Sequence, residues 1–430
     1  MRKPERVRRV PPALVRTNSL RFWRSAKAMN EKCRKVRGLL CAALALLAIG
    51  APLVAPAAAR EREPNSVYAE RRARLVAQLN APVVLFGFTG KEDSSPSYVF
   101  FQEPNFYYLT GHNEEGAALL LVPAGAAEKG WKGPKEILFL PPRDPEQEKW
   151  DGPRMGPADP GIQEKTGFAA VEAFPNLKVR LADLAQSYRE VWTLLPHSDD
   201  TGYPHARESS SWITQAAPEL AQRDVSSALG AMRQIKSPGE IALLTKAIEL
   251  SMDAQLAAMR MVRPGLYEYQ VAARMVEIHS NGGCETEAYA PIVGTGLDST
   301  ILHFNELDAL IQDGDVVLMD VGGQYSGYTA DITRTIPANG HFTPRQREIY
   351  EIVLGAQNAA LAAMKPGMTL GRAGSNSLFK IAYDYINTHG SDREGRSLGR
   401  YFIHGLSHHI GLEVINTFAF GARPGEGYTP

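Results

Sequence analysis

The sequence predicts a mixed α/β protein of two domains, and three observations carry that prediction. Short apolar runs such as VVLFGF at 83–88 and VVLM at 316–319 have the length and composition of buried strands. They alternate with segments of helical spacing at 68–79, 241–262 and 267–279. At 430 residues the chain can bury two cores, and Ile235-Lys-Ser-Pro-Gly-Glu240 marks the opening of a second region. The expected organisation is an N-terminal extension with a signal peptide over 1–60, a first domain over 61–225 and a second over 226–430.

Taken in order, the chain opens with a basic stretch. Forty-seven basic and 47 acidic side chains cancel over the whole sequence, so no nucleic acid or other polyanionic partner is implied. Residues 39–59, LLCAALALLAIGAPLVAPAAA, follow the basic run 32–37 and end in Ala57-Ala58-Ala59. This is the three-part pattern of a secretory signal peptide, cleaved near Ala59, and it predicts a secreted or periplasmic protein. Pro52 and Pro56 interrupt the run and argue against a membrane anchor, so no stable span is expected after cleavage. Met29 is a candidate start. Cys33 and Cys41 would leave with the leader, and Cys284 alone cannot form an intramolecular disulfide.

The first region continues with the strand at 83–88 and an aromatic-rich pair, Tyr98-Val-Phe-Phe and Asn105-Phe-Tyr-Tyr-Leu-Thr-Gly. Two apolar strands at 117–122 and 137–140 and a charged loop at 143–152 follow. Phe106, Tyr107 and Tyr108 read as core, and His112, His197 and His205 as isolated histidines without a catalytic role. In the second region Ser237 and Glu240 form a capping box with Pro238 at the first helical position. Thr343 and Pro344 start a helix to about residue 364, and a further helix is expected over 370–389.

Between these helices lies DVVLMDVGGQYSGYTADITRT, residues 315–335. The apolar run delivers Asp320 at a strand end. After the turn GGQYSG the alternation over 328–336 places Asp331, Thr333 and Thr335 on one face. Two carboxylates about 4 Å apart repel by roughly 4 kcal/mol at an effective dielectric of 20, and a divalent cation would relieve that. Taken alone, the pair is open to a blander reading: a strand-end Asp320 facing water and an Asp331 capping a turn. His404 and His408 are four residues apart, but Gly405 argues against a helix there, and His408 alone could be a core residue.

Leu302-His303, then Asp320, Asp331 and His404-Gly-Leu-Ser-His408, together resemble the pita-bread metallopeptidases, and within them the Xaa-Pro aminopeptidase (aminopeptidase P) family. Arg233-Gln-Ile-Lys-Ser-Pro-Gly-Glu240, Asp331-Ile-Thr-Arg-Thr335 and Phe342-Thr-Pro-Arg-Gln-Arg-Glu-Ile-Tyr350 add to the likeness. Phe101-Gln-Glu-Pro-Asn-Phe-Tyr-Tyr-Leu-Thr-Gly111 and Glu148-Lys-Trp-Asp-Gly152 resemble the family's creatinase-like first domain. The resemblance implies that domain followed by a pita-bread catalytic domain, and hydrolysis of the bond between an N-terminal residue and a following proline. It also implies two divalent metal ions held by two Asp, one His and two Glu, of which Asp320, Asp331 and His408 match the first three. An oxygen-rich set with one imidazole suits Mn²⁺, with Co²⁺ or Zn²⁺ as substitutes. His303 and His404 would line the site, binding substrate and assisting catalysis. Arg334, on the opposite strand face from Asp331, is assigned no role. Peptides with proline in second position are the implied partners, and related enzymes often form homo-oligomers.

The pattern also breaks. Val414-Ile415-Asn416 stands where the family has Val-His-Asp. Arg423-Pro-Gly-Glu-Gly-Tyr-Thr429 resembles the stretch directly before a Glu-Pro-Gly ligand motif, and the sequence given stops at Pro430. The expectation is a C-terminally truncated chain with an incomplete pita-bread domain, inactive for want of two Glu ligands, with exposed sheet edges. Prolidase is the nearest rival reading. Creatinase shares the fold without metals, and methionine aminopeptidase would not need the first domain. From another class comes a non-catalytic peptide-binding protein on the same fold, with Ile415 as the sign of decay.

Overall fold

Strand alternation in the first half sends successive side chains to opposite faces, and two separate cores result. The structure is a computed structural model that describes residues 61–92, 99–196 and 205–414. The expected leader with Met29, Cys33 and Cys41, and also Tyr98, His197 and Ile415, lie outside these residues. Six strands form one mixed sheet: β1 (Val83–Phe86), β2 (Ala118–Leu121), β3 (Glu136–Leu140), β4 (Val171–Ala173), β5 (Glu190–Thr193) and β6 (Ala221–Asp224). Their order is β4-β3-β2-β1-β5-β6, with β1, β2 and β3 antiparallel and the outer pairings parallel. Val84, Leu120, Ile137 and Phe139 face Leu177, Leu181, Leu184 and Ile213 on one side. On the other, Leu85, Leu119 and Leu138 pack with Leu75, Phe106, Leu229, Leu243, Leu250, Tyr328 and Leu412. This second core therefore takes residues from both halves of the chain.

The aromatic stretch at 105–111 is helical, a correction to the pairing expected from its composition. Glu103 caps helix Pro104–Thr110 by accepting the Phe106 amide at 2.6 Å, and Gly111 closes it in a left-handed conformation. End signals outweigh aromatic content there. Phe106, Tyr107 and Tyr108 are buried, as expected. The charged loop contains one helical turn, Glu148–Asp151.

Helix Pro238–Met261 begins with the capping box read from the sequence. Glu240 N donates to Ser237 Oγ at 3.1 Å, and Ser237 N donates to Glu240 Oε2 at 2.9 Å. This helix and Glu268–Gly282 cover a three-stranded antiparallel sheet of β8 (Ile292–Thr295), β9 (Val316–Val321) and β12 (Ile332–Pro337). A second small sheet joins β7 (Thr286–Glu287), β10 (Gly323–Tyr325) and β11 (Tyr328–Thr329). Ser326 and Gly327 turn the β10–β11 hairpin with φ of 50° and 80°, the pair of positive angles a tight two-residue turn requires.

The single strand expected over 328–336 is thus two strands in two sheets, broken at Ala330-Asp331. Gly322 explains the break: a Cβ there would lie 1.8 Å from the Ala330 carbonyl oxygen, so the backbones touch where the chain changes sheet. The helix expected from 370 starts later, at Leu378–His389, capped by Ser377 Oγ, which accepts the Lys380 amide at 3.0 Å. Gly374, with φ 105°, keeps the preceding stretch out of the helix. Among the described residues no helix is long and apolar enough to cross a membrane.

Candidate active site

Alternation along β9 sends Val317, Met319 and Val321 into the core and turns Leu318 and Asp320 toward a cleft of about 1020 Å³. Asp331 enters the same cleft from the break before β12, and Thr333 pairs with Asp320 across the ladder. Gln255 pins the two strands together. Its side-chain amide donates to Met319 O at 3.1 Å and to Ile332 O at 2.7 Å. Both aspartates are therefore set by backbone that a buried helix side chain holds.

All five residues singled out from the sequence, His303, Asp320, Asp331, His404 and His408, line this cleft. His408 Nε2 lies 3.1 Å from Asp331 Oδ2. Its Nδ1 is 3.2 Å from the His409 carbonyl; both neighbours can only accept, so in this arrangement Nδ1–H donates to the carbonyl and Nε2–H to the carboxylate. His404 is oriented the same way, with Nδ1 3.0 Å from Gly405 O. Arg334 points outward and donates to Thr333 O at 2.7 Å.

One central residue was not assigned a role from the sequence. The Tyr289 hydroxyl lies 2.6 Å from Asp320 Oδ1 and 3.2 Å from Asp331 Oδ1, so one phenol reaches both carboxylates. Tyr289-Ala-Pro precedes β8, and only the meeting of that segment with β9 and the chain break at Asp331 reveals the bridge.

The two acids are electrostatically unlike. Burial pushes the Asp320 carboxyl up, against the Tyr289 hydrogen bond, and the Asp331 charge adds to the rise. The His408 hydrogen bond holds Asp331 below the usual carboxylate range, and the same bond raises the His408 imidazole. Burial and both carboxylates push the Tyr289 phenol far above its ordinary value, so it stays a proton donor.

Two carboxylates and an imidazole whose Nδ1–H is donated to a carbonyl make a donor set suited to a hard or borderline divalent cation. Among the described residues no three of His, Cys, Asp or Glu form a ready-made metal cage, so the set is a partial one.

Residues 242–427 match the metallopeptidase family M24, and residues 68–192 match the aminopeptidase P N-terminal domain. The Xaa-Pro aminopeptidase of Haemophilus influenzae is 33% identical over 376 residues, covering 83% of this chain and 82% of that protein. The chain belongs to the Xaa-Pro aminopeptidase family. The Escherichia coli Xaa-Pro aminopeptidase is 31% identical over 376 residues, covering 82% of each. A solved structure of E. coli aminopeptidase P in a low-pH form aligns with a TM-score of 0.70 at 29% identity, again over 82% of each chain. The family resemblance in the sequence and the two-part α/β fold are thereby established, and M24 metallopeptidases use divalent metal ions.

Proposed function

We propose that this member of the Xaa-Pro aminopeptidase family is a dinuclear, manganese-dependent enzyme that releases an N-terminal residue preceding proline. The observation that carries the reading is the convergence of Asp320, Asp331 and His408 in one cleft through Tyr289. Those three side chains would hold the metal, which when bound supplies Lewis acidity and activates water at neutral pH. Tyr289 fixes the spacing of the carboxylates and keeps its proton. His303 and His404 sit on the cleft wall with the two acids, where an imidazole can orient a substrate carbonyl or move a proton. Apolar walls from Phe101, Ile301, Leu302 and Leu412 suit a proline ring.

The precursor is exported, on this proposal, with residues 1–60 as the leader. The 61–225 and 226–430 segments act as its creatinase-like and catalytic domains.

Titrating the purified chain with Mn²⁺ by electron paramagnetic resonance tests the metal reading. Binding is expected, with loss in Asp320→Asn, Asp331→Asn and His408→Ala; unchanged binding in all three would reject it. Any hydrolysis is to be measured on an Xaa-Pro tripeptide and an Xaa-Pro dipeptide side by side. Cleavage of the dipeptide alone would make the chain a prolidase instead.

A further inference from the structure

The segment 402–414 carries His404 and His408 yet contains no helix or strand, so its position depends on tertiary tethers. One is the Gly411 carbonyl, which accepts the Thr329 amide at 2.8 Å and the Thr329 hydroxyl at 3.1 Å. Arg372 Nη2 donates to Ile403 O at 2.7 Å. The third is an ion pair: Arg233 Nη2 lies 2.7 Å from Glu413 Oε2.

Arg233 is 3% exposed and ends helix Ser226–Gln234, ahead of the second half of the chain. Its other arm, Nη1, donates to Asn105 Oδ1 at 2.7 Å. Asn105 Nδ2 in turn donates to Glu103 Oε1 at 2.9 Å, and Glu103 is the buried cap of helix Pro104–Thr110. One guanidinium thus ties a capped helix of the first half to the segment bearing the histidines. A buried arginine cannot relax into water when its partner moves, so the tether is stiff.

We propose that Arg233 is a positioning residue: through Glu413 it fixes segment 402–414, and so sets His408 against Asp331. The proposal rests on the metal-site reading for its consequence, but its structural part stands by itself. Two stretches to which the proposed chemistry assigns no role, Glu103-Pro-Asn105 and Arg233-Gln-Ile-Lys236, acquire one shared task.

The test uses the full 430-residue chain as Arg233→Met, Arg233→Lys, Glu413→Gln and the Arg233→Met/Glu413→Gln double variant. Hydrogen exchange at the Thr329 amide reports whether the segment is docked, and amides of Leu119 and Leu138 report the first sheet. Mn²⁺ affinity reports the site. Arg233→Met is expected to speed Thr329 exchange and weaken Mn²⁺ binding about 10-fold, the scale seen when a ligand's supporting partner is removed. Leu119 and Leu138 should stay protected, Arg233→Lys should restore part of both effects, and the double variant should be no worse than Arg233→Met. Thr329 protection and Mn²⁺ affinity within about two-fold of the parent would overturn the proposal. Equal loss of protection at Leu119 and Leu138 would overturn it too, as general destabilisation. A parent chain that binds no Mn²⁺ would sink the metal reading, while Thr329 exchange still decides the tether.

Discussion

Tyr289 is the side chain on which the acidic pair depends most directly. Tyr289→Phe removes a hydrogen-bond donor shared by two carboxylates, and bonds to charged groups contribute about 1.5–3 kcal/mol each. The variant should melt lower than the parent without metal, and added Mn²⁺ should recover part of the difference because a cation relieves the same repulsion. Equal melting shifts with and without Mn²⁺ would count against that coupling. His112 gives a second residue-scale test, away from the cleft. Burial, with a smaller contribution from Arg62, pushes its imidazole down to about 4 from the ordinary 6.5. The unfolded chain then takes up the proton first, so stability falls as pH drops from 6.5 toward 4 and levels off below. The loss from this one group is about 3 kcal/mol. In His112→Phe the urea midpoint should fall less steeply over that window than in the parent.

Among the elements, the change of sheet at Ala330-Asp331 decides the geometry. Gly322→Ala would drive a methyl into the Ala330 carbonyl, a backbone contact that cannot swing aside. It should cost about 3 kcal/mol or more, read from the denaturant midpoint. Gly340→Ala, with φ 82° and open space around it, should cost about 1 kcal/mol, for backbone strain alone. This element also shows where the sequence stopped being legible. Local signals carried: the Ser237–Glu240 box, the Thr343 cap and the β9 run are all present in the structure. The aspartates could be singled out because acids on apolar strands lack a local rationale. The split of 328–336 depends on a close approach of Gly322 to Ala330, which no periodicity records. The Tyr289 bridge and the Arg233–Asn105 bond join residues 31 and 128 positions apart, respectively, and local pattern cannot see such distances. At 105–111 the aromatic composition misled, because capping by Glu103 and Gly111 outweighed it.

At the level of the whole molecule, Leu85 and Leu119 of the six-stranded sheet share one core with Leu243, Leu250, Tyr328 and Leu412. Arg71, in helix Asn65–Leu79, pairs with Glu240 at 3.1 Å and with Glu63, bringing charge from both halves into the same buried place. The two halves should therefore unfold together. Urea transitions followed by circular dichroism and by near-ultraviolet absorbance are expected to coincide; two separated midpoints would show independent units. The phenol that already reaches both acids has a different kind of outcome. Small zinc-held folds collapse when stripped of their ion, whereas here a phenol hydrogen-bonded to both acids is expected to help hold the cleft when the ion leaves. Treatment with a chelator should therefore strip the proposed metal without melting the protein, and replenishing the salt should restore binding without refolding. On the proposed metal reading, such a protein would take its working state from the free divalent metal of its surroundings.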